Sequence, residues 1–137
     1  MKIHELKVRV RYAETDQMGV VYHGNYAQYF EMGRVEWLRN LGASYKWMEE
    51  TGIMLPVVSL SMNYKKPARY DDELTIKTIL KSQTSVKIEF EYEIYNQHHE
   101  LLTIADSTLV FVDMKTGRPM LPPDYIVEKL KVILEED

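Results

Sequence analysis

Hydrophobic and polar positions alternate along most of this 137-residue chain, and the period of the alternation changes along it. Between residues 3 and 12, Leu6, Val8, Val10 and Tyr12 fall on one side and Lys7, Arg9 and Arg11 on the other, which predicts a half-buried strand. Asn25 to Leu41 reads instead as one helix without proline: Tyr26, Phe30, Gly33, Trp37 and Leu41 recur at steps of three or four. Ala27, Tyr29, Met32, Val35 and Leu38 carry apolar surface well past that face, the pattern of an enclosed helix. Gly42 stands where a C-terminal cap belongs, and Ser44 can cap a short second helix through Trp47 and Met48, closed by Gly52.

The period then returns to two. A second strand runs from Ile53 through LPVVSLSMNYKK and is stopped by Pro67. Asp71 and Asp72 turn the chain into LTIKTIL, where Leu74, Ile76, Thr78 and Leu80 share a face. The clearest alternation follows, with Val86, Ile88, Phe90, Tyr92 and Ile94 opposite Lys87, Glu89, Glu91 and Glu93. Such a strand has one buried and one solvated face, as antiparallel sheets permit. Asn96 to His99 form a hairpin turn into a fifth strand, Leu101 to Val112. A Lys115–Pro119 turn, Pro122-Pro123 and an amphipathic helix from Tyr125 to Leu134 complete the chain. The order of elements predicts one α+β domain over residues 1–137, a curved antiparallel sheet of about five strands wrapped around one long central helix. A small wrapped sheet leaves edges in need of cover, so a homodimer or homotetramer joined edge to edge is expected.

Composition narrows the function. The net charge of −4, from 17 basic and 21 acidic residues, comes with no long basic block, which argues against nucleic-acid binding. With no cysteine, disulfides, thiolate metal sites and cysteine nucleophiles are excluded. No apolar run spans a bilayer, and the opening MKIHELK lacks a signal-peptide core, so a cytoplasmic protein is expected.

Chemistry concentrates between Tyr12 and Asn25. Asp16 is open to two readings: a loop-structuring carboxylate that accepts backbone N–H groups, or a nucleophile or general base, ionised at neutral pH. His23 lies at the helix entrance. There its own N–H and those of Gly24 and Asn25 are candidates for the unpaired donors that suit a developing oxyanion, and Gly24 permits close approach of a ligand carbonyl. Tyr12 either hydrogen-bonds the Asp16 carboxylate or simply ends the first strand. Lys65, Lys66 and Arg69 are a solvated strand end or a phosphate contact. Glu31 is either a buried acid or part of a polar stripe. His98-His99 lacks carboxylate neighbours at metal-ligand spacing and reads as a solvated turn.

The stretch Tyr12-Ala-Glu-Thr-Asp16-Gln-Met-Gly19-Val-Val-Tyr-His23-Gly-Asn-Tyr26 with Tyr29-Phe30-Glu31 resembles the hotdog-fold acyl-CoA thioesterases. It is most similar to the 4-hydroxybenzoyl-CoA thioesterase family and its Tol–Pal-associated branch. Tyr64-Lys-Lys-Pro67-Ala-Arg69-Tyr-Asp71-Asp72, Val112-Asp113 and Thr116-Gly117-Arg118-Pro119 extend the likeness over nearly the whole chain. The resemblance implies a long helix held in a curved antiparallel sheet, an active site at a dimer interface, and thioester hydrolysis without a metal or redox cofactor. It implies catalytic roles for Asp16 and His23, with Tyr12 beside the site. By the same likeness Gly24, Asn25 and Tyr26 hold the acyl-CoA thioester together with Lys65, Lys66 and Arg69. An acyl carrier protein is the alternative thioester carrier. Glu14 stands where the branch often has aspartate. A non-catalytic acyl-thioester-binding module, or a partner module of an envelope complex, is the competing reading.

Overall fold

The structure, a computed structural model, describes residues 2–135. Strand β1 (Ile3–Arg9) leads through two 3-10 turns, Tyr12–Glu14 and His23–Asn25, into helix α1 (Tyr26–Leu41). Helix α2 (Tyr45–Glu50) follows, then strands β2 (Ile53–Met54), β3 (Val57–Tyr64), β4 (Glu73–Thr84), β5 (Lys87–Tyr95), β6 (Leu101–Val110) and β7 (Val112–Asp113), and helix α3 (Asp124–Leu134). The main sheet is antiparallel throughout, in the order β1-β4-β5-β6-β3. Register shifts near Val57, Leu80 and Ile94 are bulges of the kind that bend a sheet.

The α+β architecture, a long helix on a five-stranded antiparallel sheet, is the one the periodicities predict. Leu74, Ile76, Thr78 and Leu80 of β4 and Ile88, Phe90, Tyr92 and Ile94 of β5 are all buried, and α1 lies over them. Phe30 packs on Tyr92 with ring centroids 4.9 Å apart, and Trp37 meets Phe90 edge-on at 5.0 Å. Gly33 lets the helix come close to the sheet. A Cβ at that position would lie 2.5 Å from Thr78 Oγ1 and 2.9 Å from Ile76 Cγ2. Gly42 ends α1 in the left-handed conformation, φ 94°, and Ser44 Oγ accepts the Trp47 N–H to cap α2.

Several boundaries differ from the expectation. β1 stops at Arg9, because residues 12–14 coil into a 3-10 turn, so Tyr12 does not extend the strand. The strand expected from Ile53 breaks at Pro56, which has no N–H to contribute to a ladder; β2 pairs with β7 in a separate two-stranded ribbon, and only β3 joins the main sheet. The fifth strand likewise ends at Val110 rather than Val112. Helix α1 begins one residue later than expected and is not enclosed all round within the chain: Gln28, Glu31, Arg39 and Asn40 are exposed. Glu31 therefore belongs to a polar stripe.

The buried face of α1 also carries a cation. Arg34 is 6 % exposed, with Nε donating to Tyr45 Oη at 2.9 Å and Nη1 to Tyr92 Oη at 3.1 Å. Tyr92 Oη in turn shares a 2.7 Å hydrogen bond with Ser107 Oγ. No carboxylate pairs with Arg34 among the described residues. Burial pulls its pKa down, but the two phenol oxygens outweigh that and hold it above the ordinary arginine value.

Candidate active site

The Tyr12–Asn25 segment folds into a small hairpin. The Asp16 N–H donates to Val20 O at 2.9 Å and the Gly19 N–H to Asp16 O at 3.0 Å, and Gly19 takes φ 77° to close the turn. Thr15 bridges Val21, and Val20 bridges Arg69. The Val21 N–H donates to Ala68 O at 2.8 Å and the Tyr70 N–H to Gly19 O at 3.3 Å, which stitches the hairpin to residues 68–70.

Asp16 sits exposed at this hairpin. Its Oδ1 accepts the Met18 N–H at 2.8 Å, so one carboxylate oxygen shapes the turn while Oδ2 makes no hydrogen bond to the described protein. The loop-structuring use expected of Asp16 is thus present, and an oxygen is left over for chemistry.

His23 opens the 3-10 turn that runs into α1, with its ring exposed and 4.4 Å from that of Tyr22. Among the described residues no hydrogen bond takes up the N–H of His23 or of Gly24, as the first donors of a helical segment require. Asn25 departs from the expectation: its N–H is already bonded to Tyr22 O at 2.9 Å, and its side-chain Nδ2 donates to Glu14 O at 2.8 Å. It is therefore a bracket rather than a free donor. The Gly24 Cα lies under the Tyr22 ring, where a Cβ would come within 2.6 Å of Cε2.

Tyr12 does not bond Asp16. It is 78 % exposed and meets Tyr70 edge-on at 5.5 Å. Beside His23 a cavity of about 250 Å³ is lined by Val21, His23, Tyr26, Tyr64, Lys65, Lys66 and Pro67. The Tyr26 hydroxyl accepts the Ala68 N–H at 3.3 Å, and burial pushes its pKa up against that bond. Lys66 pairs with Glu100 at 2.7 Å, whereas Lys65 and Arg69 are exposed and enter no ion pair among the described residues. The structure thus brings His23, Tyr26, Lys65 and Lys66 to one cavity. Asp16, Tyr12 and Arg69 lie on the neighbouring hairpin and the segment stitched to it, outside that cavity's lining. His98 and His99 form the tip of the β5–β6 hairpin, whose turn is held by Asn96 Oδ1.

Glu14 is the residue that the sequence pattern passed over. It is only 6 % exposed, with Oε1 accepting the Arg11 N–H and the Tyr29 hydroxyl, both at 2.8 Å. Oε2 accepts from Arg11 Nε at 3.1 Å and forms an ion pair with Nη2 at 3.0 Å. Burial pushes its carboxyl pKa upward, but these donors prevail and hold it below the ordinary glutamate value. Tyr29 moves the other way, raised first by burial and then by the Glu14 carboxylate. A pattern of strand ends and helix starts carries no mark of such a group; the spacing of Glu14 three residues after Arg11 was the available signal.

A long helix on an antiparallel five-stranded sheet, with an acid-bearing hairpin at the helix entrance, defines a hotdog-fold thioesterase-like architecture. The Thioesterase-like superfamily model matches residues 10–130, and this chain belongs to that family. A Bacillus subtilis (strain 168) protein, YneP, is 38% identical to it, over 88% of this chain and 87% of its own. The acyl-CoA thioester hydrolase YbgC of Escherichia coli O6:H1 is 35% identical, over 90% of this chain and 92% of its own. Among solved structures, a DHNA-CoA thioesterase from Staphylococcus aureus superposes with a TM-score of 0.93 at 36% identity, covering 98% of this chain and 92% of that one. No group of three or more His, Asp or Glu side chains among the described residues is placed to hold a metal ion, and no described helix is long and apolar enough to cross a membrane.

Proposed function

We propose that this protein hydrolyses acyl-CoA thioesters, with Asp16 as the reacting carboxylate and the N–H groups of His23 and Gly24 holding the thioester carbonyl oxygen. The observation that carries this reading is the pairing of an exposed carboxylate, one oxygen fixed and one free, with two unpaired N–H groups at the entrance of the same helix. As the carbonyl carbon becomes tetrahedral, negative charge gathers on its oxygen, and fixed donors favour that state over the flat thioester. On one route Asp16 Oδ2 attacks the carbonyl and the C–S bond breaks. Coenzyme A leaves as a thiolate, and water then splits the mixed anhydride. On the other route Asp16 takes a proton from an attacking water and the thiolate leaves from the resulting intermediate. The acid and coenzyme A are the products of both.

His23 lines the cavity, and Lys65, Lys66 and Arg69 offer cations for the phosphates of coenzyme A. Strand β3 is an edge strand with no charged residue from Val57 to Tyr64, and it leads straight into Lys65 and Lys66. We assign it as the seam of a homodimer in which each cavity abuts the second copy.

The test is thiol release from a panel of acyl-CoA thioesters of graded length, and from acyl carrier protein thioesters, by wild type and Asp16→Asn. Turnover by wild type with a loss of at least about a hundredfold in Asp16→Asn is the expected result. Binding without turnover by wild type would return the chain to the non-catalytic binding module. Carrying out one turnover in H₂¹⁸O separates the two routes, since only the anhydride route can leave the isotope in Asp16.

A further inference from the structure

Glu14 is bonded to the segments that flank the two parts of the proposed site. Its side chain holds the end of the β1 segment through the Arg11 N–H and guanidinium, and reaches Tyr29 on the first turn of α1. Its backbone carbonyl accepts the Tyr22 N–H at 3.0 Å and Asn25 Nδ2 at 2.8 Å, and its own N–H donates to Arg11 O at 2.9 Å. Every polar group of this one residue is therefore bonded. Its partners lie before the Asp16 turn (Arg11), just after it (Tyr22) and in the helix entrance (Asn25, Tyr29). Asp16 follows two residues later, and the free N–H groups of His23 and Gly24 lie between Tyr22 and Asn25.

We propose that Glu14 is a positioning residue for the thioesterase reaction, a buried carboxylate that sets the distance from Asp16 to the helix-entrance donors without touching substrate. The inference rests on the reading of Asp16, His23 and Gly24 given above. Offsets of about 1 Å between reacting groups cost roughly a hundredfold in rate, so loosening this bracket acts on kcat. In Glu14→Gln an amide –NH₂ must face either the Arg11 guanidinium or the Arg11 N–H, both of which only donate, and although the Tyr29 hydroxyl can turn to accept, one side of the bracket opens. Tyr29→Phe removes a single hydrogen bond from the same bracket while keeping the buried ring.

The decisive experiment is a double-mutant cycle of Glu14→Gln with Asp16→Asn, read by thiol release from an acyl-CoA that wild type hydrolyses, well below each variant's melting temperature. The expected result is a fall in kcat of about ten- to a hundredfold for Glu14→Gln, with KM within about threefold. In the Asp16→Asn background the same change should cost less than about threefold, because the group being positioned is already gone. Tyr29→Phe should show a smaller loss with the same pattern, and it carries the test if Glu14→Gln does not fold. Glu14→Asp, which restores the charge, should recover part of the lost kcat. An equal loss in both backgrounds, or a Glu14→Gln protein with reduced stability and unchanged kcat, makes Glu14 a structural clamp only and overturns the inference. An Asp16→Asn protein as active as wild type overturns instead the site reading on which the inference rests, and the two failures are told apart by that single variant.

Discussion

Replacing Gly33 by alanine sets two effects of opposite sign against each other. Helix propensity favours alanine in a helix interior by about 0.8–1 kcal/mol. Against it stands the contact with β4: a Cβ at residue 33 lies 2.5 Å from Thr78 Oγ1 and 2.9 Å from Ile76 Cγ2, roughly an ångström and half an ångström inside the 3.4 Å limit of ordinary contact. Thr78 and Ile76 are both fully buried. Rotating the threonine brings its methyl group toward the same space, so the helix has to rise from the sheet. Overpacking of this kind costs about 1–3 kcal/mol, and the upper part of that range applies because two neighbours are struck at once. Gly33→Ala is expected to lose about 1–2 kcal/mol net, a fall in Tm of roughly 3–8 °C for a chain of this size. Circular-dichroism melts of both proteins at equal concentration check it, since assembly also shifts Tm. A variant melting at or above wild type would show that α1 rides freely on β4, and the packing argument would be wrong.

Arg34→Ala removes a buried guanidinium and leaves the Tyr45 hydroxyl without its partner; a loss of about 3 kcal/mol or more is expected in urea denaturation, with Arg34→Met less damaging because it fills the space. His23→Ala should lower kcat less than Asp16→Asn does, because the backbone donor at residue 23 survives the substitution; the reverse order in steady-state assays would shift the chemistry to the imidazole. Glu14 has a depressed pKa in the fold, so its contribution to stability is present above the ordinary carboxylate value, about 4.5, and is lost as the pH falls through the lower folded value. Wild type should accordingly lose more stability than Glu14→Gln on acidification below about pH 4.5, and parallel pH–stability curves would contradict the assignment of an ionised Glu14. Ser59→Lys combined with Ser61→Lys puts like charges on the outer face of β3, along the proposed seam; sedimentation at micromolar concentration should then show monomer, and a persistent dimer would move the seam elsewhere.

What the sequence makes legible follows from which forces are local. The alternation in β4 and β5 is written residue by residue because one face meets core and the other water. The two glycine stops and the Ser44 cap follow from backbone geometry alone. Pro56 was the visible break that the strand reading ran through, since an apolar run on both sides masks a missing donor. Tyr12 shared the parity of Leu6, Val8 and Val10, yet the 3-10 turn that begins at Tyr12 makes parity meaningless beyond Val10. Within the site, Asp16 and His23 stood out by residue type and resemblance. The bonded state of the Asn25 N–H and the clamp around Glu14 did not: the first needs the 3-10 turn back to Tyr22, which residue type does not mark, and the second joins Glu14 to Asn25 and Tyr29, eleven and fifteen residues away, a tertiary event.

The strand order has a consequence for how the chain is made. Ile3 pairs with Ile79 and Arg9 with Glu73, so during synthesis β1 has no partner strand in the main sheet until β4, more than sixty residues later, has been made. Helix α1 is in the same position, because Ile76 and Thr78, the surface on which Gly33 rests, come from that same late strand. Tyr29, Phe30, Trp37 and Leu38 therefore wait in water through the synthesis of some forty residues, a delay of a few seconds at about 5–20 residues per second. The hairpin around Asp16 closes on contacts within residues 11–25 and is pinned by residues 68–70. During synthesis the segment proposed to carry the chemistry can take its local shape before the body that supports it exists.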